Sequence, residues 1–482
     1  MSESSIAEMV IPATYIEVRA EGLIAVGSIA TGNIGIVGTA GRGPVDQVVP
    51  LGSYGEAVDM FGLPDAFGSP RSDENALTLT RTLEQAYTGG AGNVFAVRVA
   101  NGDPTAATLD VLAAGATDGF TLTARGVADE ESVEIARSSG TWGQDVHVEV
   151  APDTSSGSTR WRLTVSYGSR REVFEGANVG EVHAAVAAST LVSAGDVANA
   201  GSGFDPLSAD LAGGTDGADV SPVDVARGLA VLEGQDVNIL LVGGLAANVV
   251  GTIVLGHLDR TESQGRERVA VLGARSSGNS TSAGGVESDA DATSDDRIVL
   301  TAPGLVATDA ATGATVSLPP SYLAAVVAGR LSTLAPHISL TNKVLPVVPD
   351  VTYSSALTQR LLLKRVLLVR QKFGAQVVKG ITTSPSPFTQ ISIRRIVDYA
   401  KAGVRLGSDP YIGRLNNTRV RAALKATLDG FLSQMVLDEM LVSYTLDVSA
   451  TRAQERAGIC SVVMTLRPTF SIDFIRVTMN LE

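Results

Sequence analysis

The sequence predicts a multidomain protein of mixed α/β and α+β class. It has a largely parallel α/β core, a mostly β insert, a C-terminal domain of two helices and three strands, and extended arms at both ends. Three observations predict this. From Asp219 to Thr333 helical and strand-like apolar patterns alternate, as in strands joined by crossover helices. From Asn101 to Gly213 the pattern becomes short period-two runs between Gly, Ser and Asp turns. After Ile391 two helical stripes give way to alternating runs that continue to the last residue. With 482 residues the chain can hold two to four domains, each with its own core.

Residues 1–22 read as an arm. Pro12 keeps it extended, and Tyr15, Ile16, Glu17, Val18 and Arg19 form a short candidate strand. The core then opens with a buried strand, IGIVG, a GRGP loop and a helix from Ser53 to Phe61. Gly38, Gly41 and Gly43 after a strand raise the question of nucleotide binding. They do not fit G-x-G-x-x-G, no Lys-Ser/Thr follows, and the loop leads into another extended segment, so they read as glycines that turn the chain. Thr78 to Tyr87 is helical and VFAVRVA is a strand.

The β insert, 101–213, holds one expected helix, Val179 to Val192. LAGGTDG, Leu211 to Gly217, closes it; one such repeat lacks the ligand count that calcium needs. The core, 23–100 and 214–345, resumes with a helix from Val223 to Leu232. Val237 to Gly256 is uncharged and long enough to span a membrane, yet Asn238, Asn248 and the glycines divide it into a strand and a helix. RVAVLGA and RIVLTAPG are further strands, and Pro319 and Pro320 open a helix. Between these, Glu287 to Asp296 is an acidic run expected to be a solvated loop.

Asn342 to Thr358 reads as an extended connector and Leu361 to Phe373 as a basic amphipathic helix. In the C-terminal domain, 346–468, Ile393, Ile396, Val397, Ala400 and Val404 mark one helix, with Gly407 as its expected left-handed stop. Asn416 or Asn417 caps a second, whose stripe is Val420, Ala423, Leu424, Leu428, Phe431 and Met435. Val442 to Val448 and Cys460 to Leu466 alternate as strands, which places Cys460 at a buried position. The last strand, 469–482, carries Phe470, Ile472 and Phe474, then Ile475, Val477, Met479 and Leu481, so its parity swaps between Phe474 and Ile475. Its backbone and apolar side chains need cover, either from this domain's own sheet or from the sheet of a neighbouring copy.

The net charge of −14 argues against general nucleic-acid affinity. From Ser355 onward 18 basic residues face 9 acidic ones, a balance of +9, while the rest holds 19 against 42, a balance of −23. Two ends of opposite charge suggest different neighbours; chance clustering of solvated charge is the plainer explanation. One cysteine excludes an intrachain disulfide and a Cys-based zinc site. His147, His183, His257 and His337 stand in no metal-binding spacing, and neither a G-x-S-x-G elbow nor a P-loop is present. No cofactor is expected, and no signal peptide is visible at the start. The rival reading is a cytosolic α/β enzyme with a β insert and an active site assembled from distant residues.

ISIRRIVDYAKAGVRLG, then RLNNTRVRAALKATLDGFLSQMVLDEML and the closing strands, resembles the C-terminal domain of contractile tail sheath proteins, found in phage tails and phage-tail-like injection particles. PATYIEVRAEG is similar to the arm that opens those proteins, although Ala13 and Thr14 replace the usual Gly and Val. IGIVGTAGRGP followed by a helix ending in Phe61-Gly62 resembles them most specifically. The resemblance implies a non-enzymatic structural subunit. It would polymerise as a helical sleeve of stacked, hexameric rings around an inner tail tube protein, with baseplate and tail terminator proteins at its ends. It would contract by rigid-body repacking to drive the tube through a target envelope. It implies that Tyr15–Arg19 and Phe470–Leu481 are exchanged between neighbours, and that Lys364, Arg365, Lys372, Arg394 and Arg395 face the tube. The particle would assemble in a host cytoplasm, with neither direct nucleic-acid contact nor membrane insertion.

Overall fold

A computed structural model describes residues 29–68, 76–102, 104–124, 139–153, 160–217, 219–276 and 283–480. Tyr15–Arg19 and Leu481 lie outside them. The chain divides into two compact units, one formed by Ala30–Tyr399 with the end of the chain from Phe470, the other built on Ala400–Thr469. The division falls inside the helix Ile391–Ser408.

The larger unit is organised on a nine-stranded sheet. Its order is Val344–Leu345, Ala375–Val377, Leu367–Gln371, Ile298–Ala302, Val269–Gly273, Ile239–Val242, Ile34–Gly38, Val94–Arg98 and Val48–Leu51. The six strands from Leu367–Gln371 to Val94–Arg98 run parallel, and antiparallel pairs finish both edges. Strands covered on both faces read as unbroken apolar runs, and the side chains divide by parity. Ile239, Leu241, Val269 and Val271 enter one core, with Leu83 and the helix Pro320–Ser332. Leu240, Val242, Ala270 and Leu272 enter the other, with Leu229, Val254 and Leu361. Pro320–Ser332 is the most enclosed helix, buried along almost its whole length. It meets the helix Leu79–Gly89 at backbone distance: a Cβ at Gly329 would stand 2.1 Å from the carbonyl oxygen of Ala86, and one at Gly89 would stand 2.3 Å from that of Val326.

The insert has its own core between a four-stranded sheet, with Val148, Leu163 and Val165, and a three-stranded one, with Val111 and Leu122. The helix expected at Val179–Val192 stops at Val186, and Val192–Ala194 is a strand. Polar groups weld insert to core. Asp216, the acid that suggested calcium, accepts from the Thr141 backbone at 3.1 Å and its hydroxyl at 2.7 Å, and pairs with Arg98 at 3.4 Å. Arg42 of the GRGP loop donates to the Val58 carbonyl at 2.8 Å and to that of Asp59, and its guanidinium lies 5.2 Å from the Trp142 ring. The loop that looked like a phosphate cradle is a joint.

Four sequence expectations change. The helix placed at Leu361–Phe373 runs from Ser355 to Leu363; Arg365 takes a φ of 62°, and Leu367–Gln371 joins the sheet beside Ile298–Ala302. The apolar run Val366–Val369 is buried because it lies in a sheet, where a helical count of its charges no longer applies. The extended connector carries two short strands, Val344–Leu345 and Val348–Pro349. The acidic run begins in a helix, Gly284–Ala292, in which buried Asp289 accepts from Arg275 Nε at 2.9 Å. Gly407 does not stop its helix, which continues to Ser408 and ends in a tighter turn at Asp409–Tyr411 containing Pro410.

His257 is fully buried; its Nε2 lies 2.8 Å from Arg268 Nη1, which donates to it. Burial, reinforced by the Arg268 charge, lowers its pKa from 6.5 to about 4.

Two predictions follow from these contacts. Gly329→Ala must force the Leu79–Gly89 and Pro320–Ser332 helices apart, at a cost of about 1–3 kcal/mol, measured as a lower urea midpoint. The unfolded chain protonates His257 near its ordinary pKa while the folded chain does so only near 4, so stability is lost as pH falls between those values. His257→Gln, which can still accept from Arg268, should flatten the slope of stability against pH by up to about 2–3 kcal/mol over that window, read from urea midpoints of the two proteins.

Candidate assembly surface at the C-terminal end

In the smaller unit Asn417 caps the helix Thr418–Leu437 by accepting from the Val420 backbone at 2.9 Å. Tyr411, Leu424 and Leu428 form its buried centre, against which Leu446, Val448 and Val462 pack. Those three residues belong to a hairpin of Leu441–Ser449 and Ser461–Pro468, joined by the short helix Arg452–Arg456. Tyr444 opposes Leu466, Leu446 opposes Met464, and Val448 opposes Val462, so period two places the apolar side chains on one face. The register slips between Leu441 and Ser443.

This hairpin is a sheet of two strands alone among the described residues, so each strand has an edge of backbone donors and acceptors with no sheet partner. A two-stranded ribbon is marginal by itself. Its inward face is half-buried rather than sealed. Cys460 is exposed, not buried as its alternation with Val462 suggested. It precedes the strand, which starts at Ser461 opposite Ser449, the last residue of its partner.

The end of the chain, in the other unit, is the most apolar exposed segment. Phe474 is 84 %, Ile475 82 %, Val477 72 % and Met479 85 % exposed, with Phe470 and Ile472 also open. Residues 470–480 form no strand, so the predicted third strand is not built within the chain. Only the root is held. Asp473 accepts from Gln390 Nε2 at 3.1 Å and Thr341 Oγ1 at 3.4 Å, with Lys379 Nζ at 3.7 Å. Gln390 also accepts from the Ser471 backbone at 3.3 Å and donates to its carbonyl at 3.4 Å. Lys379 lies 5.3 Å from the Phe474 ring.

The five basic residues expected to face a tube do not act together. Arg395 is buried and donates to the carbonyls of Thr31 at 3.0 Å and Leu334 at 2.9 Å, and burial pulls its pKa down to about 10. Arg394 is also buried; it pairs with Asp398 at 2.8 Å and Asp296 at 3.3 Å, and its guanidinium lies 4.5 Å from the Phe388 ring. Both are buried and partnered within the chain, unlike the exposed positions the sequence suggested. Lys364 pairs with Asp291 at 2.7 Å and Arg365 donates to the Thr383 carbonyl at 2.8 Å. Lys372 sits in an exposed turn beside Phe373, which is 85 % exposed.

Sequence reasoning missed the charge cluster under Arg394. Arg297 binds Asp398 at 2.9 Å and Glu262 at 2.7 Å. Burial opposes the Arg297 charge, but hydrogen bonds to Glu262 and Asp398 hold its pKa above the ordinary value. Burial raises Asp398, opposed by Arg297 and Arg394. Arg297 lies 35 residues from Glu262 and 101 from Asp398, so no local spacing announces the cluster.

Among the described residues no group of three His, Cys, Asp or Glu could hold a metal, and no helix is long and apolar enough to cross a membrane.

The family model for the phage tail sheath C-terminal domain matches residues 383–482. No curated protein matches in sequence. The fold resembles that of a sheath tail protein from Desulfitobacterium hafniense, at a TM-score of 0.68 and 15 % identity, over 95 % of this chain and 100 % of that one. It also resembles the contracted helical sheath of the anti-feeding prophage, at 0.56 and 14 %, over 98 % and 99 %. The contracted sheath of the extracellular contractile injection system PVC aligns at 0.57 and 13 %, over 99 % of both chains. The chain thus carries a phage tail sheath C-terminal domain at residues 383–482 and, along nearly its whole length, the fold of contractile sheath proteins.

Proposed function

We propose that this protein is the structural subunit of a contractile tail sheath, polymerising as a helical sleeve around an inner tube and contracting by rigid-body repacking. The observation that carries the reading is an imbalance. Among the described residues the chain holds a hairpin with two open edges and an apolar segment, Phe470 to Met479, that no strand covers. Covering one such side chain is worth about 1.5–3 kcal/mol, and strand addition supplies directional backbone bonds as well. A repeated contact that does not close on itself generates a helix. Residues 15–19, with the same alternating pattern, are the proposed second exchanged strand.

Solved sheaths with this fold are helical arrays in a contracted state, and a related chain belongs to a baseplate assembly. An inner tube protein, a baseplate and a tail terminator are the partners that go with such an array. The enzyme alternative finds no support, since the relatives in fold are structural proteins. Of those five basic residues, Lys372 is the one left exposed without a carboxylate in a described pair, so the Lys372–Phe373 turn is the tube contact proposed here.

Two experiments test this. Negative-stain imaging of the purified protein should show long striated tubes; a population of self-sufficient monomers at all concentrations would overturn the reading. Deleting residues 1–20 or 475–482 should abolish the tubes, and the 475–482 deletion should leave the melting transition of the subunit unchanged, because residues 475–480 are exposed.

A further inference from the structure

The apolar pattern of the final segment changes parity between Phe474 and Ile475, and the structure changes character at the same place. Up to Phe474 the exposure alternates: Ser471 and Asp473 face inward while Phe470, Ile472 and Phe474 face out. From Ile475 to Asn480 every residue is exposed. The inward positions are polar, and their partners are specific. Gln390 grips the Ser471 backbone by both its donor and its acceptor, and the same amide nitrogen reaches Asp473. Thr341 and Lys379 complete the set, and Lys379 also lies against Phe474. An apolar contact would tolerate sliding by two residues, since the apolar period is two. A carboxylate held by an amide, a hydroxyl and an ammonium has one register.

We propose that the segment has two parts: a fixed root, residues 470–474, pinned to its own subunit through Asp473, and a transferable strand beginning at Ile475. Asp473 is a positioning residue. It sets the residue at which the strand leaves its subunit, and hence the register in which it enters another sheet, and it gives that strand a firm point of attachment when the subunit turns. The parity change follows directly. The root needs polar side chains inward against Gln390 and Lys379, whereas the transferred strand is free to place its apolar face in whatever phase a different sheet requires.

The second arm of the test rests on the sheath reading; the first does not. In dilute full-length subunit, amide hydrogen exchange at Ser471 should be slowed by about tenfold or more relative to residues 475–480, of the order expected when a charged hydrogen-bond set must open first. Gln390→Ala and Asp473→Ala should each remove that difference and leave the melting transition of the subunit unchanged. Exchange at Ser471 as fast as at 475–480 in the natural sequence overturns the proposal. In the second arm the concentration needed for tube formation should rise about tenfold or more in Asp473→Ala, the factor carried by one lost charged hydrogen bond. It should rise less in Asp473→Asn, which keeps an acceptor for Gln390. Tubes from Asp473→Ala at the natural concentration would also overturn it. Should the unaltered protein form no tubes, the sheath reading falls, and exchange at Ser471 still decides the pin.

Discussion

The structure turns on backbone groups that no strand among the described residues pairs. A hairpin exposes a row of donors and acceptors along each outer edge, and here the inward face is only half-covered as well. Proteins that stay monomeric blunt such edges with charge, proline or a covering loop. Leu441–Ser449 instead presents Val442, and Ser461–Pro468 presents Val463, both exposed. The same chain ends in a segment rich in exposed Phe, Ile, Val and Met. Open edges and an uncovered segment are two halves of one requirement, and the proposed exchange of strands between copies would meet both.

A subunit joined to others by transferred strands needs a body stiff enough to carry load, and the buried arginines supply that stiffness. Arg98, Arg268, Arg297 and Arg395 are all nearly sealed from water. Each is tied to carbonyls or carboxylates of a distant segment. Burying a guanidinium costs free energy unless its donors are satisfied, so such a network tolerates one arrangement and resists partial distortion. Arg98 ties the insert to the sheet through Asp216, and Arg297 ties the sheet to the root of the long C-terminal helix through Asp398. The apolar cores alone, built of Ala, Val and Leu, would allow small shifts at little cost.

How much of this could be read from the sequence follows from the range of each interaction. The parallel strands were legible because a strand covered on both faces is a continuous apolar run, and the Pro320–Ser332 helix because a proline pair opens it. Asn417 was legible as a cap, since capping acts over three residues. Where a local pattern met a tertiary one, the tertiary one won. Val366–Val369 with its flanking lysines and arginines reads as an amphipathic helix until a sheet edge is available to it. Asp289 reads as a solvated acid until Arg275 is brought to it. Arg394 and Arg395 illustrate the limit best. Two adjacent basic residues on a helix look like a surface, and only the fold reveals that Asp398, Leu334 and Thr31 have already taken their charge.

The same comparison bears on what drives the proposed machine. The glycine loop that raised the question of nucleotide binding is filled by Arg42, whose guanidinium lies against the Trp142 ring. A sheath that draws no energy from a bound nucleotide takes its work from a difference between two arrays of the same subunits, and it can do so only if passage between them does not unmake the polymer. Apolar side faces can be exchanged for better ones at modest cost, because such contacts are non-directional. The strand links must persist throughout, because they are directional and slow to re-form. That separation of roles places the changing contacts on the bodies and the lasting ones on the chain ends. It accounts for a protein whose strongest internal bonds lock its core while its most apolar segment is left outside.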